Sequence, residues 1–149
     1  MVAMRAALVA ILFFFLIPAQ VAAEDDALYM AQLVGRGFFR ALQDGEVEAM
    51  VPLCSDAVNF DGELVKGRPK VKARLAAMVK RARRNNLRLK KVLILRYREA
   101  IKVLGPCPER LKKVVKPGHM VALAAFQRGG AVAVLARFGD FWRVIALTD

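Results

Sequence analysis

Residues 38–78, FFRALQDGEVEAMVPLCSDAVNFDGELVKGRPKVKARLAAM, decide the architecture of this chain. They read as a helix end, a short helix, a strand, a tight turn, a returning strand and another helix. Gly45 ends the first helix, because glycine accepts the left-handed conformation that closes helices. Pro52 cannot lie deep in a helix, so the helix from Glu46 to about Leu53 stays short. Asp61-Gly62, between strands Ala57–Phe60 and Glu63–Lys66, is a two-residue hairpin turn. Gly67 then caps a helix, with Pro69 tolerated in its first turn.

Upstream, Leu28, Ala31, Val34, Phe38 and Leu42 recur at three- and four-residue steps, which predicts a helix from about Asp26 to Asp44. Gly35 and Gly37 weaken that helix and allow close packing or a bend. Downstream of Gly67, Val71, Leu75, Met78, Val79 and Ala82 share one helical face, and Asn85-Asn86 ends it. Residues 87–104 alternate. Leu93, Leu95, Tyr97, Ile101 and Val103 point one way, while Arg88, Lys90, Arg96, Arg98 and Lys102 point the other, which predicts one long strand. A Pro/Lys-rich loop follows, from Gly105 to Gly118. His119–Arg128, Ala131–Phe138 and Phe141–Thr148 complete a meander through the turns Gly129-Gly130 and Gly139-Asp140. The expected class is α+β, with N-terminal helices on one face of a six-stranded, mainly antiparallel sheet.

The first 23 residues are set apart. Arg5 precedes an unbroken apolar run from Ala6 to Ile17, Pro18 breaks it, and Val21-Ala22-Ala23 supplies small residues for cleavage. This reads as a secretory signal peptide cleaved after Ala23, leaving a periplasmic or secreted domain of residues 24–149. The rival reading is an uncleaved anchor, against which Pro18 and Gln20 argue. An exported domain with two cysteines, Cys54 and Cys107, is expected to pair them in a disulfide. Two separate buried thiols are the alternative.

Charge is lopsided. Residues 66–116 hold 19 Lys and Arg against Glu99 and Glu109, a net of +17, whereas the rest of residues 24–149 carries a net of −6. The basic residues include Lys70, Arg74, Arg81, Arg84, Arg96 and Arg98, a candidate anion-binding surface for phospholipid headgroups or envelope glycolipids. A merely solvated face is the competing reading. Nucleic acid fits less well, because Tyr97 is the only aromatic among these residues and points away from them.

The run from Phe39 to Met50, then Phe60-Asp61-Gly62, then Lys66-Gly67-Arg68 opening a helix, resembles the nuclear-transport-factor-2-like superfamily, also called SnoaL-like or cystatin-like folds. The resemblance spans about Asp26 to Leu147. It implies a strongly curved mixed sheet rolled over the helices into a cone around an apolar pocket, here walled by Phe38, Phe60, Leu95, Tyr97 and Phe126. It says little about function, since one fold hosts many activities. In the superfamily's ketosteroid isomerases an Asp at the end of the first strand moves a proton, and a Tyr on the first helix stabilises the oxyanion. Asp61 falls on the first position and Phe38, which has no donor, on the second. Loss of one such donor costs about two to three orders of magnitude in rate.

Two carboxylates remain catalytic candidates. Asp61 is either a general base in a desolvated pocket or a turn residue. Glu99, on the apolar side of the expected long strand, is either a buried acid or turned outward by a bulge. His119 is the only histidine and Ser55 the only serine, so no triad is indicated. No Cys/His spacing suits zinc and no glycine loop suits a phosphate, so neither metal nor cofactor is expected. Met120, Ala122, Ala124 and Phe126 on one face, with Val121, Leu123 and Ala125 on the other, make the last strands apolar on both sides. That pattern needs a second cover, expected to be another copy of the chain. The expected function is an exported, dimeric pocket protein without catalysis, binding a small apolar ligand or serving as an assembly module. An isomerase or dehydratase using a pocket carboxylate, and a cationic envelope-binding protein, are the alternatives.

Overall fold

The breaks between elements fall where glycine and proline put them. The computed structural model describes residues 24–149, and the expected signal peptide lies outside the described residues. Residues 31–149 make one compact unit; residues 24–30, assigned to a separate N-terminal unit, are helical. Within the compact unit helix α1 runs over residues 31–44. Gly45 closes it at φ +75°, while the Glu46 N–H donates back to the Ala41 carbonyl at 2.9 Å. A short helix α2 (Val47–Met50) and a 3-10 turn (Val51–Leu53) lead into β1 (Cys54–Phe60) and β2 (Glu63–Lys66). Asp61 and Gly62 between them both have positive φ, +52° and +97°, as the mirror-image hairpin turn requires. Gly67 caps α3 (Arg68–Arg84), which buries Val71, Leu75, Val79 and Ala82.

Strand β3 (Leu89–Arg96) is shorter than its sequence pattern suggests, and the expected strand to Leu104 is corrected here. From Tyr97 to Leu104 the chain is a helix, α4. The positions 97 and 101 that fit a two-residue alternation also fit helical spacing, together with Ala100 and Leu104. Glu99 settles the competition: its Oε2 accepts the Arg96 N–H at 3.2 Å in a capping box. Gly105, at φ +88°, ends the helix. A second short helix, α5 (Glu109–Lys112), lies within the expected loop. The meander then follows as β4 (Met120–Phe126), β5 (Gly130–Phe138) and β6 (Phe141–Thr148).

The six strands form one mixed sheet in the order β2-β1-β6-β5-β4-β3, with β1 parallel to β6 and every other pair antiparallel. The helices-on-sheet expectation holds. Register shifts interrupt the β1–β6, β3–β4 and β5–β6 ladders, and such bulges bend strands. On the inner face α1 comes very close. A Cβ built on Gly35 would stand 2.5 Å from Ile94 Cδ1 and 3.2 Å from Ala122 Cβ. Gly35 is therefore a packing glycine, and any side chain there must push α1 off the sheet. Leu135 lies at this contact, and Phe38, Phe39, Leu75 and Leu135 are fully buried in the core, each worth about 1.5–3 kcal/mol in transfer from water.

On the outer face Leu111, Val134 and Ala146 form a cluster joined by Cys107, Val115 and Val132. The second cover expected from another copy is thus supplied in part by the chain's own α4 and α5. No spare helix was visible in the sequence, because α4 was hidden inside the strand pattern.

Candidate functional site

The inner face opens at one end into a cleft of about 680 Å³. Its apolar wall comes from four elements: Leu42 of α1, Phe60 of β1, Phe126 of β4 and Leu147 of β6, all buried. Met78 and Ala82 of α3 extend it. The rim is charged. Arg74, Arg81 and Arg84 come from α3, at spacings of about two turns and one turn, and Arg128 from the β4–β5 turn, with Asp61 and Asp149 beside them. Arg74 pairs with Glu63 at 3.1 Å and lies over the Phe60 ring at 5.3 Å. Arg81 pairs with Asp149 at 2.6 Å, and Asp61 with Arg110 at 3.5 Å. All three pairs are substantially exposed, so each is worth about 0–1 kcal/mol. Arg84 and Arg128 have no ion pair among the described residues.

The expected pocket wall divides. Phe60 and Phe126 line the cleft. Phe38 does not: it is fully buried, edge-to-face with Phe39 at 5.3 Å between ring centroids, and belongs to the solid core. Leu95 pairs in register with Val121 on the outer face, and Tyr97 opens α4 there, so neither reaches the cleft. The anion-binding set divides likewise. Arg74, Arg81 and Arg84 converge on the cleft, whereas Lys70 is exposed at the start of α3, Arg96 caps α4, and Arg98 is exposed on α4.

Neither carboxylate meets the requirement of a desolvated acid or base. Asp61 does reach the cleft, but at its rim: its side chain is 42% exposed and paired. Glu99 is exposed on α4 and spent on the helix cap. His119 is half-buried. Its Nδ1 accepts the Lys116 N–H at 3.1 Å, and burial first, then the Lys116 charge, holds its pKa below the usual value. That hydrogen bond favours the neutral ring.

The expected disulfide is not formed; both thiols are free. The reason is topological. Cys54 is in register with Val144, and Val144 with Leu135, whose Cδ1 faces Gly35 on the inner side. Cys107 packs on the outer cluster. The sheet stands between the two sulfurs. Burial pushes the Cys54 thiol up to about 12, against a smaller opposing effect of Arg143.

A second, smaller chamber of about 260 Å³ lies on the outer face beneath α4 and α5. Tyr97, Ile101, Leu104, Leu111, Val121 and Val134 are among its walls. It was not legible in the sequence, because its existence depends on α4. Arg128 and Met78 were also missed at the cleft. The available signal for Arg128 was the glycine pair after it: the expected Gly129-Gly130 turn is in fact formed by residues 127–129, with Gly130 opening β5, and this carries Arg128 to the end of the sheet.

No protein-family model and no curated protein sequence matches the chain. Solved structures do. An association domain assigned to calcium/calmodulin-dependent protein kinase type II, from Thiobacillus denitrificans, matches with a TM-score of 0.50 at 16% identity, covering 78% of this chain and 90% of that one. An NTF2-like protein with a cystatin-like fold from Novosphingobium aromaticivorans gives 0.49 at 13% identity, covering 88% and 84%. A chain assigned as a dehydratase of the NTF2-like family, from Streptomyces avermitilis, gives 0.48 at 14% identity, covering 83% and 94%. At these identities the likeness is one of fold.

Proposed function

From the nuclear-transport-factor-2-like, cystatin-like fold that this chain has, we propose that the protein is a non-catalytic binding protein whose ligand occupies the 680 Å³ cleft between α3 and the sheet. One observation carries this reading. The cleft joins a preformed apolar wall to a rim whose only acids among the described residues, Asp61 and Asp149, are exposed and already paired. A wall of this kind binds by excluding water, and a paired, solvated carboxylate is a poor proton shuttle. Export, expected from the N-terminal residues, and dimerisation belong to the same reading. Leu93, Val103 and Leu104 remain exposed on β3 and α4, apolar surface that a second copy would cover.

The neutral probe N-phenyl-1-naphthylamine tests the site. It is expected to bind saturably at one equivalent, and Met78→Trp, which fills the cleft from its half-buried wall, is expected to abolish this while leaving the circular dichroism spectrum intact. Unchanged probe binding by Met78→Trp would move the ligand site elsewhere. Asp61→Asn is expected to bind the probe as well as the parent protein does.

A further inference from the structure

We infer that the cleft takes an amphipathic organic anion, with a carboxylate or phosphate monoester head on an apolar body. The inference rests on the cleft being the ligand site. Four cations line it, and all four are arginine, although α3 also carries Lys70, Lys72 and Lys80. Arginine is the more weakly hydrated of the two cations and presents a planar fork that matches carboxylate and phosphate. Those lysines lie elsewhere on the same helix, Lys72 paired with Glu48. Within the cleft the charges do not balance: Arg74, Arg81, Arg84 and Arg128 face Asp61 and Asp149 alone. Arg74 and Arg81 are matched by Glu63 and Asp149, and Asp61 is matched by Arg110. Arg84 and Arg128 are left over, on two different elements flanking the same opening. An inorganic anion would use those two residues and leave the wall of Phe60, Phe126 and Leu147 idle. A neutral alkyl chain would use the wall and leave the guanidinium groups unpaired. Only a molecule with both parts satisfies both.

Titration calorimetry of the protein with octanoate, octyl phosphate, octan-1-ol and inorganic phosphate tests this. Octanoate or octyl phosphate is expected to bind at least tenfold more tightly than octan-1-ol and than inorganic phosphate, and the tighter of the two identifies the head. The double variant Arg84→Gln, Arg128→Gln alters only exposed side chains. It is expected to reduce that binding to the octan-1-ol level and to leave octan-1-ol itself unchanged. Octan-1-ol binding as tightly as both anions, or an unaffected double variant, would overturn the anion assignment while leaving the cleft an apolar ligand site. Inorganic phosphate binding as tightly as the octyl anions would overturn the requirement for an apolar body. Loss of the site itself is read separately, from the neutral probe and Met78→Trp.

Discussion

On the inner face of the sheet, Ile94, Ala122 and Leu135 meet α1 across the missing side chain of Gly35, and no gap remains at that contact. On the outer face, Val121, Val132 and Val134 meet two short helices joined by a loop, and a chamber of about 260 Å³ remains beside them. Both faces are built from small and branched apolar residues. What differs is the cover. A continuous helix presents a regular ridge that can be drawn in until it touches. Helices of eight and four residues do not offer a long enough ridge, and their connecting residues stand off. The larger cleft obeys the same rule: it opens toward the end of α3, where the rim turns from apolar to arginine.

The sharpest way to break the comparison is chemical labelling of the thiols, one buried on the inner face and one on the outer. Unreduced, unfolded protein is expected to titrate two thiols. In the folded protein Cys107 is expected to react about a thousandfold or more faster than Cys54. Cys54 becomes accessible only through opening of the inner face, which costs several kcal/mol. Equal rates, or no titratable thiol, would contradict the sheet's position between them. Because the Cys54 pKa is raised in the folded state, the stability it contributes is full below the unfolded value near 9 and is lost as pH rises toward about 12. Cys54→Val is expected to flatten stability curves over that window.

Truncations compare the two faces in energy. Leu135→Ala, on the inner face, is expected to lower the unfolding free energy by about 2–5 kcal/mol. Val103→Ala, on the side of α4 exposed in the single chain, is expected to change the unfolding free energy of the monomer by less than about 0.5 kcal/mol. Denaturant melts that rank these two equally would remove the distinction between a sealed and a loosely covered face. Gly35→Ala inserts a methyl where no room exists and is expected to cost about 1–3 kcal/mol despite alanine's better helix propensity. A stabilised Gly35→Ala variant would mean that α1 stands further from the sheet.

The smallest expected effect is at His119. Its folded pKa is lowered, so the unfolded chain takes up the proton first as pH falls, and stability declines below about 6.5. His119→Gln is expected to remove that slope from melting temperatures measured between pH 7 and pH 5. An unaltered slope would place its origin in another group.

The turns were readable because they are local. Gly45, Asp61-Gly62, Gly67 and Gly105 act through the backbone conformation of one or two residues, and each sits at an element boundary in the structure. Residues 97–104 were misread for a related reason. Their apolar positions fit two periods at once, and the deciding contact, from Glu99 to the Arg96 N–H, is a three-residue detail that a tally of alternation overlooks. Phe60 and Phe126 were read as pocket residues from strand alternation and line the cleft, whereas Arg74, Arg81 and Arg84, read as part of an exposed basic surface, reach its rim only in the structure. Phe38 was placed on the pocket wall and lies in the core instead, since the same helical face serves core and cavity and only depth separates them.

Helix spacing outside residues 97–104, the Asp61-Gly62 turn, the two-faced apolar character of the last strands and the uneven charge were settled by the order of residues, because each depends on neighbours within a few positions. Three matters were left to the tertiary structure: which arginines find carboxylates, which side of the sheet each cysteine occupies, and where the cover leaves a void. These depend on distances between elements far apart in the chain. Such distances follow from how closely helix and sheet can approach, and the absent side chain of Gly35 sets that limit.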